Sequence, residues 1–416
     1  MRILFFTNAY TPNKEVKHAY NGGGWIDSLL AELKLRKDIE LGICSLTAKQ
    51  ASAEEWEGIR FYSIPRQRRR IKEKIHTGFF PHSDKYERMR WVEYKSQFAR
   101  VVEDFSPEVI HLFGSEFYHG LVAEVTSVPV VLHIQGILNT CLNAWFPPGV
   151  SFMDYLLQDY HPQHIWSRAQ IYYEWERECM RERHIFKHVP NFIGRTTWDK
   201  ACTRVLSPSA KYFYGGELLR PIFYQGGERQ IPSKLTLVTT ISRPLYKGYD
   251  FVLKTAQCLK EALGDNFEWK VFGNISPTFV EQKLRISHKD VNVSLCGVAT
   301  PENLKDHLLH ATVYFHSSYI ENLCNAACEA LILGVPVVAA HVGGIDGAVE
   351  HGVDGFLVPA NDPYTAAYRI LQLAEDRELN IQMGNEGRCR ALKRHDKEEV
   401  VKTLLATYQT IIHAAR

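Results

Sequence analysis

Short, continuously apolar runs, each ending in a polar or glycine-bearing loop, recur along this chain and constrain its fold more than any other feature. Ile3 to Phe6, Val109 to Gly114 and Val128 to Gly136 are such runs in the first half. Leu235 to Ser242, Phe267 to Gly273, Val291 to Gly297, Ala311 to His316, Pro336 to Ala340 and Gly355 to Val358 continue the series. A strand that is apolar on both faces belongs in a sheet covered on both sides. Helical spacing lies between the runs, as in Ile26, Leu29, Leu30 and Leu33, and in Leu253, Ala256 and Leu259 of the Phe251 to Leu263 stretch. The alternation predicts an α/β protein built on parallel sheets. Ile39 to Cys44 and Val205 to Ser209 are read as further strands.

The pattern restarts after Gly226-Gly227 and Pro232. This predicts two α/β domains, residues 1–228 and 229–395, and a terminal helix over 396–416 with the apolar stripe Val400, Leu404, Leu405 and Tyr408. A chain of 416 residues is long enough for two such cores. Residues 137–200 depart from the alternation and carry Trp145, Tyr155, Trp166, Tyr172, Tyr173 and Trp175, so helical and irregular structure beside a domain cleft is expected.

Forty-nine basic against 47 acidic side chains leave a net charge of +2, which offers no global attraction for nucleic acid. The nine cysteines are scattered, and Cys324 and Cys328 form no metal framework with neighbours in sequence. That usage suits a reducing compartment. The apolar run at the start is too short for a signal peptide, and no run approaches a membrane span. The expected location is cytoplasmic, with peripheral contact at the inner face of a membrane left open.

The densest chemical signal runs from His316 to Ala340. Glu321 and Glu329 stand with seven residues between them, and Gly334-Val335-Pro336 ends a short helix and opens the next strand. Helix N-terminal amides can hold phosphate, and carboxylates can accept sugar hydroxyls. Upstream, Arg243 and Lys247 follow the Leu235 to Ser242 strand, where two cations suit a diphosphate. Downstream lies GGIDGAVEHGVDGFLVPANDP, residues 343–363, with Glu350 and Gly355.

This ordered run resembles the signature of the retaining glycosyltransferases of family GT4, which have the GT-B fold. That fold has two facing Rossmann-like α/β domains with a cleft between them. The resemblance covers the second domain well and the first more loosely. It implies transfer of a sugar from a nucleotide-diphosphate donor, UDP- or GDP-linked, to a glycan or lipid-linked acceptor, as in capsule, lipopolysaccharide or glycolipid synthesis. Glu321 would lie by the donor sugar and Glu329 would bind the ribose. Arg243 and Lys247 resemble the Gly-Arg…Lys-Gly segment, with Ser242 in place of the glycine. Gly273-Asn274 resembles the family's Gly-x-Gly loop without its second glycine. The loop Asn322, Leu323, Cys324 and Asn325, which departs from the common Gly-Phe-Gly, would shape the donor pocket.

In the first domain, Gly22, Gly23 and Gly24 resemble the glycine loop facing the donor diphosphate, or form a plain turn. His133 resembles a histidine that contacts the reacting sugar or acceptor, or is a core histidine. Arg195, Thr196 and Asp199 are acceptor-side or phosphate-side candidates, or the cap of a helix. No Asp-x-Asp occurs, so neither a metal nor another cofactor is expected. Arg60 to Glu93 carries ten Arg or Lys and four Asp or Glu, a local +6, with aromatics interspersed. It could meet an anionic bilayer, nucleic acid or a phosphorylated acceptor, or be a solvated loop. The rival functions are an epimerase or phosphorylase of the same fold and a non-catalytic nucleotide-sugar-binding regulator.

Overall fold

A computed structural model of the chain describes residues 1–8, 24–48, 50–67, 71–242 and 245–416. Gly22, Gly23, Arg68, Arg69, Arg70 and Arg243 lie outside the described residues.

The strands are β1 (Arg2–Phe6), β2 (Glu40–Ala48), β3 (Ser52–Trp56), β4 (Ile59–Pro65), β5 (Val109–Phe113), β6 (Val130–His133), β7 (Asn191–Gly194), β8 (Lys211–Tyr214), β9 (Leu235–Thr240), β10 (Phe267–Phe272), β11 (Val293–Gly297), β12 (Val313–His316), β13 (Val337–Ala340) and β14 (Gly355–Val358). They form an eight-stranded sheet, in the order β3-β4-β2-β1-β5-β6-β7-β8, and a six-stranded sheet, in the order β11-β10-β9-β12-β13-β14. Among the described pairings only β3–β4 is antiparallel. Strand order reverses between β1 and β5 in one sheet and between β9 and β12 in the other. Such reversals open a crevice at the strands' carboxyl ends, where ligands bind in folds of this kind.

The first domain's helices are α1 (Gly24–Lys34), α2 (Ile71–Phe79), α3 (Lys85–Phe105), α4 (Leu138–Asn143), α5 (Phe152–Leu156), α6 (Pro162–His188) and α7 (Thr197–Leu206). The second domain's begin with α8 (Pro221–Tyr224), α9 (Tyr249–Leu263), α10 (Pro277–Leu284), α11 (Pro301–Leu309) and α12 (Asn325–Ile332), and end with α13 (Pro363–Glu375) and α14 (Arg377–Arg394). The last helix, α15 (Lys397–Ala415), packs Val400, Val401, Leu404, Tyr408 and Ile411 into the first domain's core with Ile3, Phe5 and Leu30. Leu218 belongs to that core, whereas Leu219 and Phe223 join the second domain's, so the chain crosses at Leu218–Leu219, ahead of the Gly226-Gly227 punctuation.

One strand expectation is corrected, one element is added, and one of the alternatives for the basic segment falls away. Val205 and Leu206 end helix α7, and the strand lies further on, at Lys211–Tyr214. Thr196 caps α7 in a capping box with Asp199, which fixes where that helix starts and carries it past Val205. The antiparallel pair β3–β4 is an addition that the apolar pattern does not signal, because β3 is an almost wholly exposed edge strand bearing Glu54 and Glu55. Finally, Arg60 to Glu93 is not a loop: its described residues include β4, α2 and the start of α3.

Helix α2 presents its faces in reverse. Inward it turns Glu73, which pairs with Arg90, and Thr77, whose hydroxyl is 3.2 Å from Gln170 Oε1. Outward it turns Ile71 and Phe79, 77% and 78% exposed, with Ile75 between them. Residues four apart share one helical face, so these three form an outward apolar stripe beside Lys72 and Lys74. Arg90 is buried on Glu73 and Glu87, and Arg181 of α6 pairs with Glu87, so one cation and two acids of the segment leave the surface and its net positive charge stays outside.

Candidate active site

The carboxyl ends of β9, β10 and β12 meet the N-terminus of α1 across a cavity of about 310 Å³. Its lining includes Thr240, Ser242, Gly273 and His316 from the second sheet's strand ends, Lys247 from the following turn, and Gly24 and Trp25 from the first domain. Glu321, Cys324, Asn325 and Glu329 complete the second domain's side, and Arg220 enters from the interdomain connection.

Backbone geometry builds this surface. Gly273 has φ +125°, and a β-carbon there would lie 1.8 Å from the Ile241 carbonyl oxygen. Gly248 has φ +78° and starts α9, and a β-carbon there would lie 2.0 Å from the Ser317 oxygen. Both positions need glycine on both counts. The Ser317 hydroxyl donates to the Lys247 carbonyl at 2.8 Å, tying the lysine's turn to the end of β12.

Lys247 Nζ lies 2.7 Å from Glu321 Oε2, and His316 Nε2 lies 3.7 Å from the same oxygen. Burial pushes the Glu321 carboxyl up, but Lys247 and then His316 outweigh it, and the group ends below its ordinary value. His316 is held down to about 4, by burial above all, so its ring is neutral at neutral pH. The second carboxylate, Glu329, accepts two bonds from Arg220: Nε to Oε1 at 2.7 Å and Nη2 to Oε2 at 2.6 Å. Burial nevertheless holds Glu329 above its ordinary value. The cavity therefore carries one carboxylate tuned to stay ionised and one paired with a cation from the domain connection.

Of the residues anticipated from sequence, Lys247, Gly273, Glu321, Cys324, Asn325 and Glu329 line this cavity. Others do not. Asn322 is buried between the domains, where Thr196 donates to its Oδ1 at 2.9 Å and its Nδ2 donates to Asp199 at 3.1 Å. Leu323 packs in the second domain's core, and Asn274 is exposed beyond the strand end. Arg195 is buried in an ion pair with Glu217 and donates to the Gln135 carbonyl at 3.0 Å, because a buried guanidinium needs a carboxylate. His133 is buried behind Trp25, with ring centroids 5.0 Å apart and no hydrogen-bond partner on either ring nitrogen. Burial, with His111 and Arg195 nearby, holds it well below its ordinary value. It is thus a core histidine one layer behind the cavity wall.

Three residues escaped the sequence reading, and two of them, Arg220 and Trp25, line the cavity. Arg220 follows Gly-Gly-Glu-Leu-Leu and precedes Pro221, with no local pattern to mark it. Trp25 donates to Gln135 at 2.9 Å and forms the first domain's wall; its place at the start of the Ile26 to Leu33 helix was the available signal. Glu116, just past β5, is pushed up to about 7 by burial, with Glu182 and Glu178 adding to it. Sequence spacing predicts no metal constellation, yet folding assembles two groups of three ligating side chains among the described residues: His316, Glu321 and Cys324 in the cleft, and Glu124, His184 and His188 away from it. The cleft group already holds the Lys247 ammonium on its carboxylate.

Residues 227–390 match the family model described as glycosyl transferases group 1. Over 94 residues the chain is 40% identical to D-inositol 3-phosphate glycosyltransferase of Streptomyces avermitilis, covering 23% of this chain and 19% of that protein. Sucrose-phosphate synthase from Thermosynechococcus elongatus superposes over 99% of both chains with a TM-score of 0.71 at 15% identity. Anabaena Alr3699/HepE in complex with UDP-glucose does so over 99% of this chain and 100% of its own, with a TM-score of 0.63 at 16% identity. The fold is GT-B. The likeness to group 1 glycosyltransferases thus rests on the second domain, and the likeness over the whole chain is one of fold. The chain spans 18% to 41% of the length of the first curated relatives it matches. Among the described residues no helix is long and apolar enough to cross a membrane.

Proposed function

We propose that this protein transfers a sugar from a nucleotide-diphosphate sugar to a glycan or lipid-linked acceptor with retention of configuration. The observation that carries the reading is the joint placement of Lys247, Glu321 and Glu329 around one cavity at the strand ends. Glu329 takes the ribose hydroxyls, and Glu321 orients the donor sugar. As the bond to the sugar breaks, negative charge grows on the leaving diphosphate, and Lys247, Arg243 and the Gly24 amide at the start of α1 stabilise it. The acceptor hydroxyl attacks from the face the diphosphate leaves, and a phosphate oxygen takes its proton. These cations do the work of a divalent ion, so none is required. The UDP-glucose in the Anabaena neighbour supports a uridine-linked donor.

The outward stripe of α2, flanked by Lys72 and Lys74, supports an acceptor met at an anionic membrane surface. Each Lys or Arg near such a surface is worth about 1 kcal/mol, and the apolar side chains settle at the interface without spanning it.

The test is a panel of nucleotide sugars assayed for hydrolysis and transfer, before and after exhaustive chelation. One donor should be turned over in both conditions. Glu329→Gln should chiefly raise the donor KM, and Glu321→Gln should chiefly lower kcat. Turnover of no donor, or complete loss on chelation restored by magnesium or manganese, would overturn the reading.

A further inference from the structure

A second group of ligating side chains lies near the C-terminal end of α6, where the cleft makes no use of it. Glu124 ends the 3-10 turn Tyr118–Glu124 that follows β5, and it faces His184 and His188, one helical turn apart on α6. His184 Nε2 is 2.9 Å from Glu124 Oε1, and His188 Nε2 is 3.9 Å from Oε2. One ligand atom from each of the three residues lies within 4.8 Å of the other two. We propose that Glu124, His184 and His188 form a binding site for a transition-metal cation of the zinc type.

Imidazoles four apart project from one helix face, so the backbone brings them together before any ion arrives. Two nitrogens and one carboxylate oxygen, with a fourth position left to water, are a common zinc set. Magnesium and calcium favour oxygen ligands and are excluded by the same chemistry. Two contacts orient the imidazoles. His188 Nδ1 donates to the His184 carbonyl at 2.8 Å, which leaves the Nε2 lone pair directed at Glu124. The His184 ring lies against Trp91 with centroids 4.5 Å apart. In the metal-free chain His184 Nε2–H donates to Glu124; the cation takes that place and the ring N–H moves to Nδ1.

Lys95 opposes the cation with its charge, but its Nζ sits 2.7 Å from Glu124 Oε2 and leaves Oε1 to the metal. The site joins α6 to the turn after β5. At 1.5 Å per residue its histidines lie about 14 to 20 Å along α6 from Trp175, which meets Tyr246 beside Lys247. A bound ion braces this end of the helix and takes no part in sugar transfer.

The experiment is calorimetric titration of the chelator-stripped full-length protein with zinc chloride, and with magnesium chloride for comparison. His316, Glu321 and Cys324 offer zinc a second place, so Cys324→Ser serves as background for every variant. One equivalent should bind and raise Tm. His184→Gln and His188→Gln should each weaken it about tenfold or more, Lys95→Met should tighten it, and magnesium should not compete. Both partner residues sit at least partly at the surface, and circular dichroism checks that the variants fold. Zinc affinity unchanged in both histidine variants, or no heat of binding in the Cys324→Ser protein with zinc in excess, would overturn the proposal.

Discussion

The guanidinium of Arg220 forks onto the carboxylate of Glu329, two parallel bonds of 2.7 and 2.6 Å joining the domain connection to the second domain. A bidentate pair of this kind fixes direction as well as distance. In the proposed reaction the same carboxylate receives the ribose, so the donor must share or displace the arginine. Arg220→Ala leaves Glu329 buried without its cation, and burial then pushes its carboxyl further up. The donor KM should rise at least tenfold, and stability should fall by about 3 kcal/mol. Arg220→Lys should restore stability in part but not the fork. Donor titrations and urea unfolding on the two variants check this.

Lys247→Ala should slow transfer by roughly 10². It also removes the main influence that keeps Glu321 ionised, so burial is left to push that carboxyl up. The acid limb of the pH–rate profile should then move to higher pH. Lys247→Arg keeps the charge and should keep the acid limb in place, which separates an electrostatic role from a purely steric one.

Stability should fall with acid from about pH 6.5 downward. His111, His119 and His395 are held at about 3 and His316 at about 4, with burial as the chief cause each time. In the unfolded chain each titrates near 6.5. Between those values the unfolded state binds protons that the native state refuses, so native stability is complete above 6.5 and is lost as pH falls. Glu116, raised to about 7, works in the opposite sense, as do Glu329 and Asp354, which burial also holds above their ordinary values; their contributions fade as pH rises, but they are three groups against four. Urea midpoints measured from pH 7.5 to 4 should decline, and His119→Leu should flatten the slope.

Replacing Ile71, Ile75 and Phe79 together by Ser should abolish co-sedimentation with anionic liposomes at low salt while leaving Tm within a degree or two, because all three side chains face outward. Raising the salt should weaken wild-type binding by screening the lysines. Equal sedimentation of both proteins would return α2 to an ordinary exposed helix.

Most strands were legible because a parallel strand buried on both faces is written as an unbroken apolar run, as in Leu235–Thr240. Lys247, Glu321 and Glu329 were legible because spacing and punctuation survive in one stretch of chain. What failed did so where partners come from afar. Arg195 was open to a phosphate or an acceptor, and Glu217 takes it; His133 was open between the cleft and the core, and Trp25 covers it. Nothing near Arg220 in sequence foretells Glu329, 109 residues on. Glu73 is buried on Arg90, a pairing that the charge count of its segment does not foretell.

The return of α15 makes the second domain an insertion. The chain leaves the first domain at Leu218 and comes back at Lys397, and the two crossings are stitched together: His395 Nδ1 lies 2.8 Å from the Glu217 carbonyl, and Tyr224 donates to the His395 carbonyl at 2.8 Å. Cutting the chain at the apparent boundary near residue 228 would therefore not yield two halves. The N-terminal fragment would lack Val400, Leu404, Tyr408 and Ile411 from its core, and the C-terminal fragment would carry them exposed on a helix with nothing to cover it. A circularly permuted chain opened inside the second domain keeps both cores whole, whereas a linear truncation spares neither.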